Sequence, residues 1–287
     1  MQKLLCATDL LPKSEAAIER AGLLTQQLAG ELTLLHVVAP AAAQINLEHS
    51  LQTAITRVKS RSRPPAWHHD VQPQIAVRAG NPARVIVDTL GDSGADLLII
   101  GPHAKRGMRD VLEGTIAEKA LSARKSPLLI VQQEAAQTYR NVLFALDLSA
   151  ESSAAVRAAE SLVLGRNVSA TVVHVSEPPY QGMLRAVGVQ TAQVMSYVEY
   201  SRREVAAAVR QLLSRASGDP KRYEVVIADG QPAQAILRAV NVRRPDLLVM
   251  GTRGDGRVRR ALIGSVANEV LSAVGCDVLV VPRTSAS

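Results

Sequence analysis

The chain has 287 residues, and domains usually hold roughly 100 to 200, so a single small domain is excluded. Hydrophobic residues make up 47% of the chain, charged residues make up 21%, and the mean hydropathy is slightly positive. This composition is typical of a folded globular protein and excludes a disordered polyelectrolyte. Aromatic residues are only 2%, so the cores must be aliphatic, and single-stranded nucleic-acid binding by stacked rings is disfavoured.

The formal charge of +7 suits anionic ligands without requiring nucleic acid. A basic segment, residues 57–63, has no aromatic residue or recognition motif beside it, so nucleic acid is not an expected partner. Cys6 and Cys276 lie far apart and form neither a disulfide framework nor a metal-ligand pattern. The N-terminal residues show no cleavage-site pattern, and no run approaches the roughly 18 apolar residues of a membrane span. We therefore expect a reduced, cytoplasmic protein without a membrane partner.

The chain repeats itself. KLLCATDL at residues 3–10 matches NVLFALDL at 141–148, an offset of 138, whereas ADLLIIG at 95–101 matches PDLLVMG at 245–251, an offset of 150. Two constant offsets indicate a duplicated domain whose second copy carries extra residues before Gly230. We predict domains at residues 1–134 and 139–287, with the boundary in a polar connecting segment, residues 132–140.

Within each copy, short runs of Leu, Val and Ile alternate with longer stretches of helical period, which predicts repeated βαβ units. The expected fold is α/β: two tandem, doubly wound, Rossmann-like domains, each with a five-stranded parallel sheet covered by helices on both faces. In the second copy, strands are predicted at 141–146, 169–175, 223–228, 246–250 and 277–281. Helices are predicted to begin near Glu151, with Ser149 as N-cap, and near Leu184, Pro232 and Ser265. The extra residues are expected around 179–189.

Ligands of doubly wound sheets bind beyond the carboxyl ends of the strands, where the strand order reverses. In the second copy this directs attention to Asp147 after the first strand, Val175 at the end of the second and Gly230 after the third. The fourth strand is followed by the glycine-bearing stretch GTRGDGRVRRALIGSVAN, residues 251–268.

This stretch has the chemistry of an anion site. Three of its four glycines, Gly251, Gly254 and Gly264, stand where they allow close approach of the backbone to a ligand. Gly264 and Ser265 stand where a helix is predicted to begin, and a helix N-terminus offers free N–H groups and a positive dipole end. Four arginines, Arg253, Arg257, Arg259 and Arg260, add positive charge. The pattern is neither a Walker A motif nor the GxGxxG dinucleotide fingerprint.

The spacing Gly-x2-Gly-x9-Gly-Ser after a fourth strand resembles that of the nucleotide-binding members of the universal stress protein family. The resemblance extends over essentially the whole chain and is found twice. It implies that Asp147 holds the adenosine end of ATP, that Val175 contacts adenine and that Gly251 lies by the ribose. It places Gly254, Gly264, Ser265 and Val266 around the phosphates. Where such members have Thr before the Asp, this copy has Leu146.

The first copy departs from the pattern. Gly101, Gly114 and Thr115 keep the spacing, but Ala104 occupies the place of the second glycine. Asp9 and Val37 match Asp147 and Val175. If the second glycine requires a positive φ, alanine there costs about 1 kcal/mol or more. We expect the first copy to be the weaker of two nucleotide sites.

Plainer explanations exist for each of these residues. Asp9 and Asp147 are also what a turn before a helix requires, and Thr115 and Ser265 could serve only as helix N-caps. The arginines could form a solvated face. His36 and His174, at the ends of apolar strands, are expected to be structural, and Cys6 is expected to be a buried small hydrophobe.

The sequence contains no nucleophile elbow, no HExxH motif and no pair of carboxylates whose positions indicate acid–base catalysis. We therefore expect a binding protein rather than an enzyme. The resemblance implies an ATP-responsive stress protein, with or without Mg2+, that acts on unidentified protein partners. Its two domains are expected to form an intramolecular pseudo-dimer through the last strands of each copy, 126–132 and 276–282. Association of two such chains into a homodimer is a further possibility. A nucleotide-independent scaffold is the alternative, and an enzyme of the adenine nucleotide α-hydrolase type is a third.

Overall fold

The computed structural model describes residues 1–38, 49, 51–53, 55–56, 71–101, 119–120, 126–135, 137–165, 167–176, 191–252 and 264–282. In the first copy the strands are β1 (Lys3–Thr8), β2 (Glu31–Val38), β3 (Gln74–Ala79), β4 (Leu97–Ile100) and β5 (Leu128–Ile130). In the second copy they are β6 (Asn141–Ala145), β7 (Ser169–Val175), β8 (Tyr223–Ala228), β9 (Leu247–Gly251) and β10 (Asp277–Val281). The helices are α1 (Pro12–Leu28), α2 (Pro82–Ser93), α3 (Ala150–Leu162), α4 (Thr191–Ser217), α5 (Pro232–Arg243) and α6 (Ser265–Ala273).

All ten strands form one sheet in the order β3-β2-β1-β4-β5-β10-β9-β6-β7-β8. Within each copy every neighbouring pair is parallel, and only the central pair, β5 with β10, is antiparallel. The two predicted five-stranded parallel sheets and their junction through the last strands are therefore confirmed. In each copy the strand order reverses at the first strand, β1 or β6, which lies between the second and fourth strands.

Alternation along the strands divides the core between the two faces of the sheet. On β1, Leu4 and Cys6 belong to one buried cluster and Leu5 and Ala7 to the other. Helices α1, α3 and α4 cover the first face, and α2, α5 and α6 cover the second. The fully buried strands, such as Leu97–Ile100, are apolar at every position because both sides are covered.

The predicted boundaries are close to those observed. Strand β6 ends at Ala145, one residue early, and β9 runs from Leu247 to Gly251, one residue later than predicted. Ser149 is the N-cap of α3, and its hydroxyl accepts a hydrogen bond from Ser152 N at 3.2 Å. The predicted start of a helix near Leu184 and the insertion at 179–189 lie outside the described residues. The long helix α4 begins at Thr191 and has 27 residues.

The junction of the two copies contains a fully buried carboxylate, that of Asp277 on β10. Its Oδ2 accepts hydrogen bonds from Arg20 Nε of α1 at 3.2 Å and from the Tyr139 hydroxyl at 2.7 Å. Its Oδ1 accepts from the backbone amides of Gln132 and Gln133, at 2.8 and 3.1 Å. The carboxylate thus holds together the first copy, the connecting segment and the second copy.

Arg20 and Tyr139 complete this buried cluster. The guanidinium carbon of Arg20 lies 3.9 Å from the centroid of the Tyr139 ring, a cation–π contact, and Arg20 Nη1 donates to Gln137 O at 2.8 Å. Burial, followed by the charge of Asp277, raises the pKa of the Tyr139 phenol well above its ordinary value. Tyr139 therefore stays protonated and remains a donor to the carboxylate.

Replacing Asp277 by Asn removes the charge that balances Arg20, so we expect the free energy of unfolding to fall by about 3–5 kcal/mol, measured by urea denaturation at pH 7. Glu224→Gln is the matched control, because it removes one carboxylate from an exposed pair with Arg243. That change should cost less than about 1 kcal/mol. Equal losses in the two variants would contradict the importance of the buried cluster.

Both cysteines are buried. Burial raises the pKa of the Cys6 thiol to about 12, and burial together with the Asp277 charge raises that of Cys276 to about 11. Since only the thiolate is nucleophilic, we expect a disulfide reagent at pH 8 to label neither thiol in the folded protein. In denaturant it should label both. Rapid labelling of the native chain would show that one thiol is accessible.

Candidate functional site at the switch point of the second copy

The residues predicted to bind a ligand lie at or just beyond the carboxyl ends of strands that are neighbours in the sheet. Asp147 lies two residues after β6, Val175 is the last residue of β7 and Gly251 is the last residue of β9. Strands β7, β6 and β9 are adjacent and parallel, so their carboxyl ends meet at one edge of the sheet. The strand order reverses there, which is where doubly wound sheets bind ligands.

The carboxylate of Asp147 is held by the first turn of the following helix. Its Oδ1 accepts hydrogen bonds from the Ser149 amide at 3.1 Å, from the Ser149 hydroxyl and from the Ser152 hydroxyl at 2.7 Å. The Ser152 oxygen in turn accepts a hydrogen bond from the Asp147 amide at 2.9 Å. Asp147 is half-buried and Ser152 is buried. The orientation of the carboxylate is thus fixed by several contacts.

Ser152 is not among the site residues predicted from the sequence, although the repeat carries a signal for it. The 138-residue offset that relates Asp9 to Asp147 also relates Ser14 to Ser152. In the first copy the Ser14 hydroxyl donates to Asp9 Oδ1, and the Leu11 amide donates to the same oxygen at 3.0 Å. An Asp with a serine five residues later therefore forms the same contact in both copies.

His174 and His36 are buried and hydrogen-bonded within the fold, as was predicted. Each directs Nδ1 at the carbonyl before the aspartate, Leu146 O at 2.9 Å or Thr8 O at 2.8 Å. Because a carbonyl only accepts, Nδ1 is the nitrogen that carries the hydrogen.

The described ends of the glycine stretch lie together. Thr252 follows β9 directly, is buried, and its amide donates to Val281 O at 3.0 Å. The Gly264 amide donates to Thr252 O at 2.7 Å, which closes the base of the segment between them. This contact brings the start of α6 to the carboxyl end of β9.

Gly264, not Ser265, is the N-cap of α6, so the explanation of Ser265 as a pure N-cap is wrong. A glycine supplies no side-chain acceptor, and no side-chain cap bond is formed at this helix start. In contrast, Ser149 and Asn81 cap α3 and α2 with their side chains. The first-turn amides of α6, including those of Ser265 and Val266, therefore suit an anion, because they have no partner within the helix.

Part of the predicted site falls outside the described residues. This applies to Gly254, Gly114 and Thr115, to the second-position Ala104, and to the four arginines of the glycine stretch. In the first copy, Asp9 follows β1, Val37 lies in β2 and Gly101 follows β4, which repeats the placement of Asp147, Val175 and Gly251.

The turn after β1 differs in detail from the turn after β6. Leu10 has a φ of 62°, in the left-handed region that residues other than glycine rarely adopt. Its amide donates to the Thr8 hydroxyl at 3.1 Å, a bond that Leu146 cannot provide in the second copy. Across the described residues, no group of three or more His, Cys, Asp or Glu side chains is arranged to bind a metal ion. In the same part of the chain, every helix is too short or too polar to span a lipid bilayer.

The fold and the switch-point residues define a tandem α/β protein built from two doubly wound units. The model of the universal stress protein family matches the chain twice, at residues 1–132 and 138–282. The chain therefore belongs to the universal stress protein family, as a member with two tandem domains.

Individual relatives support this assignment. A universal stress protein of Thermus aquaticus is 34% identical over 147 residues, which is 50% of this chain and 98% of the relative. One of Mycolicibacterium smegmatis is 23% identical over 304 residues, covering 98% of this chain and 97% of its own. The crystal structure of an Archaeoglobus fulgidus universal stress protein superposes with a TM-score of 0.65 at 19% identity, covering 98% of both chains. That structural likeness extends over the full tandem fold.

Replacing Ser152 by Ala removes a hydroxyl that contacts both the amide and the carboxylate of Asp147. We expect the free energy of unfolding to fall by about 1–3 kcal/mol in urea denaturation, because the half-buried Asp147 amide and carboxylate lose this partner. Ser161→Ala on the same helix is the matched control, since its exposed hydroxyl bonds only Ala158 O. That change should stay within about 0.5 kcal/mol. A Ser152→Ala protein as stable as the control would contradict this role.

Proposed function

We propose that the chain binds ATP at the switch point of its second domain, residues 139–287, and acts as a nucleotide-responsive stress protein. The observation that carries the proposal is the Thr252–Gly264 contact, which sets the uncapped start of α6 beside the carboxyl end of β9. Asp147 lies two residues after the neighbouring strand, β6, where the Ser152 hydroxyl holds its carboxylate. A polyanion attached to a polar sugar fits a site with first-turn amides on one side and a carboxylate on the other.

Each proposed contact is assigned to the residue of this chain that matches the family motif. Asp147 holds the adenosine end, Val175 contacts adenine and Gly251 lies by the ribose. The phosphates, with or without Mg2+, lie against a group from the glycine segment and the helix start, namely Gly254, Gly264, Ser265 and Val266. The uncapped amides of α6 are the feature of the structure that fits the phosphates.

We propose a weaker site, or none, in the first domain, residues 1–134. Asp9, Val37 and Gly101 repeat the adenosine side, and Gly114 and Thr115 match Gly264 and Ser265 in the sequence motif. Ala104 stands where the second glycine of the motif belongs. A β-carbon at that position opposes close approach of a phosphate to the backbone.

The proposed action is binding without efficient catalysis in the cytoplasm. Occupancy of the second domain would alter the surface that the arginine-bearing segment, residues 253–260, offers to protein partners. The alternative that the protein is an enzyme would require ATP turnover well above background, and a single side-chain substitution would have to abolish that turnover.

The first test is to denature the purified protein and identify any released nucleotide by mass spectrometry. Calorimetry with Mg-ATP then follows on the wild type and on Gly254→Val. We expect adenine nucleotide or a clear binding heat in the wild type, and at least a tenfold loss of affinity in the variant, since the added side chain obstructs the phosphate side.

Ala104→Val is the matched control, because it enlarges the corresponding residue of the first copy. It should leave the affinity of the second-domain site unchanged. If the wild type neither releases adenine nucleotide nor binds ATP, the proposal is wrong and a nucleotide-independent scaffold is favoured. Equal losses from both substitutions would show a general effect on the protein and contradict a phosphate contact at Gly254. A loss in Ala104→Val alone would place the site in the first domain.

A further inference from the structure

One peptide group at the switch point is held at both of its polar ends. It joins Leu146 to Asp147. Its carbonyl, Leu146 O, accepts a hydrogen bond from His174 Nδ1 at 2.9 Å, and its amide, Asp147 N, donates to Ser152 Oγ at 2.9 Å. His174 comes from the neighbouring strand β7, and Ser152 comes from helix α3. The peptide group directly before the Asp147 α-carbon is therefore held from two sides.

Both holding groups are nearly excluded from solvent. His174 is 8% exposed and Ser152 is 4% exposed. The Ser152 hydroxyl also donates to Asp147 Oδ1 at 2.7 Å, so one side chain fixes both the backbone and the carboxylate of Asp147. Polar groups so deeply buried need partners, and here His174 Nδ1 and the Ser152 hydroxyl find theirs in Leu146 and Asp147.

The first copy makes corresponding contacts with a different neighbouring sequence. His36 Nδ1 bonds Thr8 O at 2.8 Å, and the Ser14 hydroxyl bonds Asp9 Oδ1. The carbonyl acceptor in each copy is that of the residue before the aspartate, although this residue is Thr8 in one copy and Leu146 in the other. A histidine that served only the core could use any buried acceptor.

We propose that His174 and Ser152 are positioning residues of the nucleotide site, which fix the Asp147 carboxylate for the adenosine end of the ligand. This inference rests on the proposed function. Neither side chain has to touch the nucleotide, because each acts through Asp147. A carboxylate that is already oriented loses little conformational freedom when the ligand binds, so the affinity for the ligand is higher.

The experiment is a double-mutant cycle, with Mg-ATP affinity measured by calorimetry on the full chain. His174→Leu removes the donor to Leu146 O and should weaken binding about tenfold. Asp147→Asn weakens binding directly. If His174 acts through Asp147, adding His174→Leu to Asp147→Asn should change the affinity by no more than about twofold. Additive losses would overturn the proposal.

Two further variants separate positioning from general damage. His174→Asn keeps an N–H donor at the position of Nδ1 and should recover most of the affinity lost in His174→Leu. His36→Leu removes the equivalent donor in the first copy, so it should cost similar stability but leave the affinity of the second-domain site unchanged. Equal losses of affinity from His36→Leu and His174→Leu would show a global effect and contradict the proposal.

Ser152→Ala repeats the affinity test from the other end of the peptide and replaces His174→Leu if that variant does not fold. It should also weaken Mg-ATP binding, with little further effect in the Asp147→Asn background. A wild-type chain without ATP binding would refute the proposed function, and this inference with it. A wild type that binds ATP, with His174→Leu and Ser152→Ala binding equally well, would refute the inference alone.

Discussion

The buried carboxylate of Asp277 sets the constraint on which the arrangement of the two domains depends. A charge removed from water must be matched by donors, and here Arg20, Tyr139 and the amides of Gln132 and Gln133 supply them. These donors come from the first copy and from the connecting segment. The carboxylate is therefore satisfied only when the second copy occupies one position relative to the first.

This cluster is asymmetric although the sheet pairing is nearly symmetric. The repeat offsets relate Asp277 to Pro127 and Arg20 to Ala158, neither of which can ionise. The junction between the two covalently joined copies therefore contains a polar cluster that is not repeated by symmetry. Pairing β5 with β10 also covers two apolar edges and leaves β3 and β8 outermost. Both outer strands carry a charged residue in an ion pair, Arg78 with Asp92 and Glu224 with Arg243, which opposes further edge pairing.

The repeat and the apolar periodicity were sufficient to predict the strands and both covered faces, because these features depend on local pattern and burial. The central pair was expected from the family resemblance and from the need to cover an apolar edge strand. The same information placed Asp147, Val175 and Gly251 at one edge of the sheet. It did not reveal Ser152, whose role depends on hydrogen-bond geometry, or the Asp277 cluster, whose members are separated by up to 257 residues. Contacts between single polar side chains leave no periodic signal.

The duplication also shows where the two copies differ chemically. Two hydrogen bonds occur at both switch points, from the serine hydroxyl to the aspartate carboxylate and from the histidine to the carbonyl before the aspartate. The departure from the glycine motif, Ala104 in place of glycine, lies after the fourth strand of the first copy. If ATP binds as proposed, the first copy keeps the adenosine side of a site whose phosphate side has changed. Selectivity between the copies would then arise from backbone access to phosphate, not from recognition of the nucleoside.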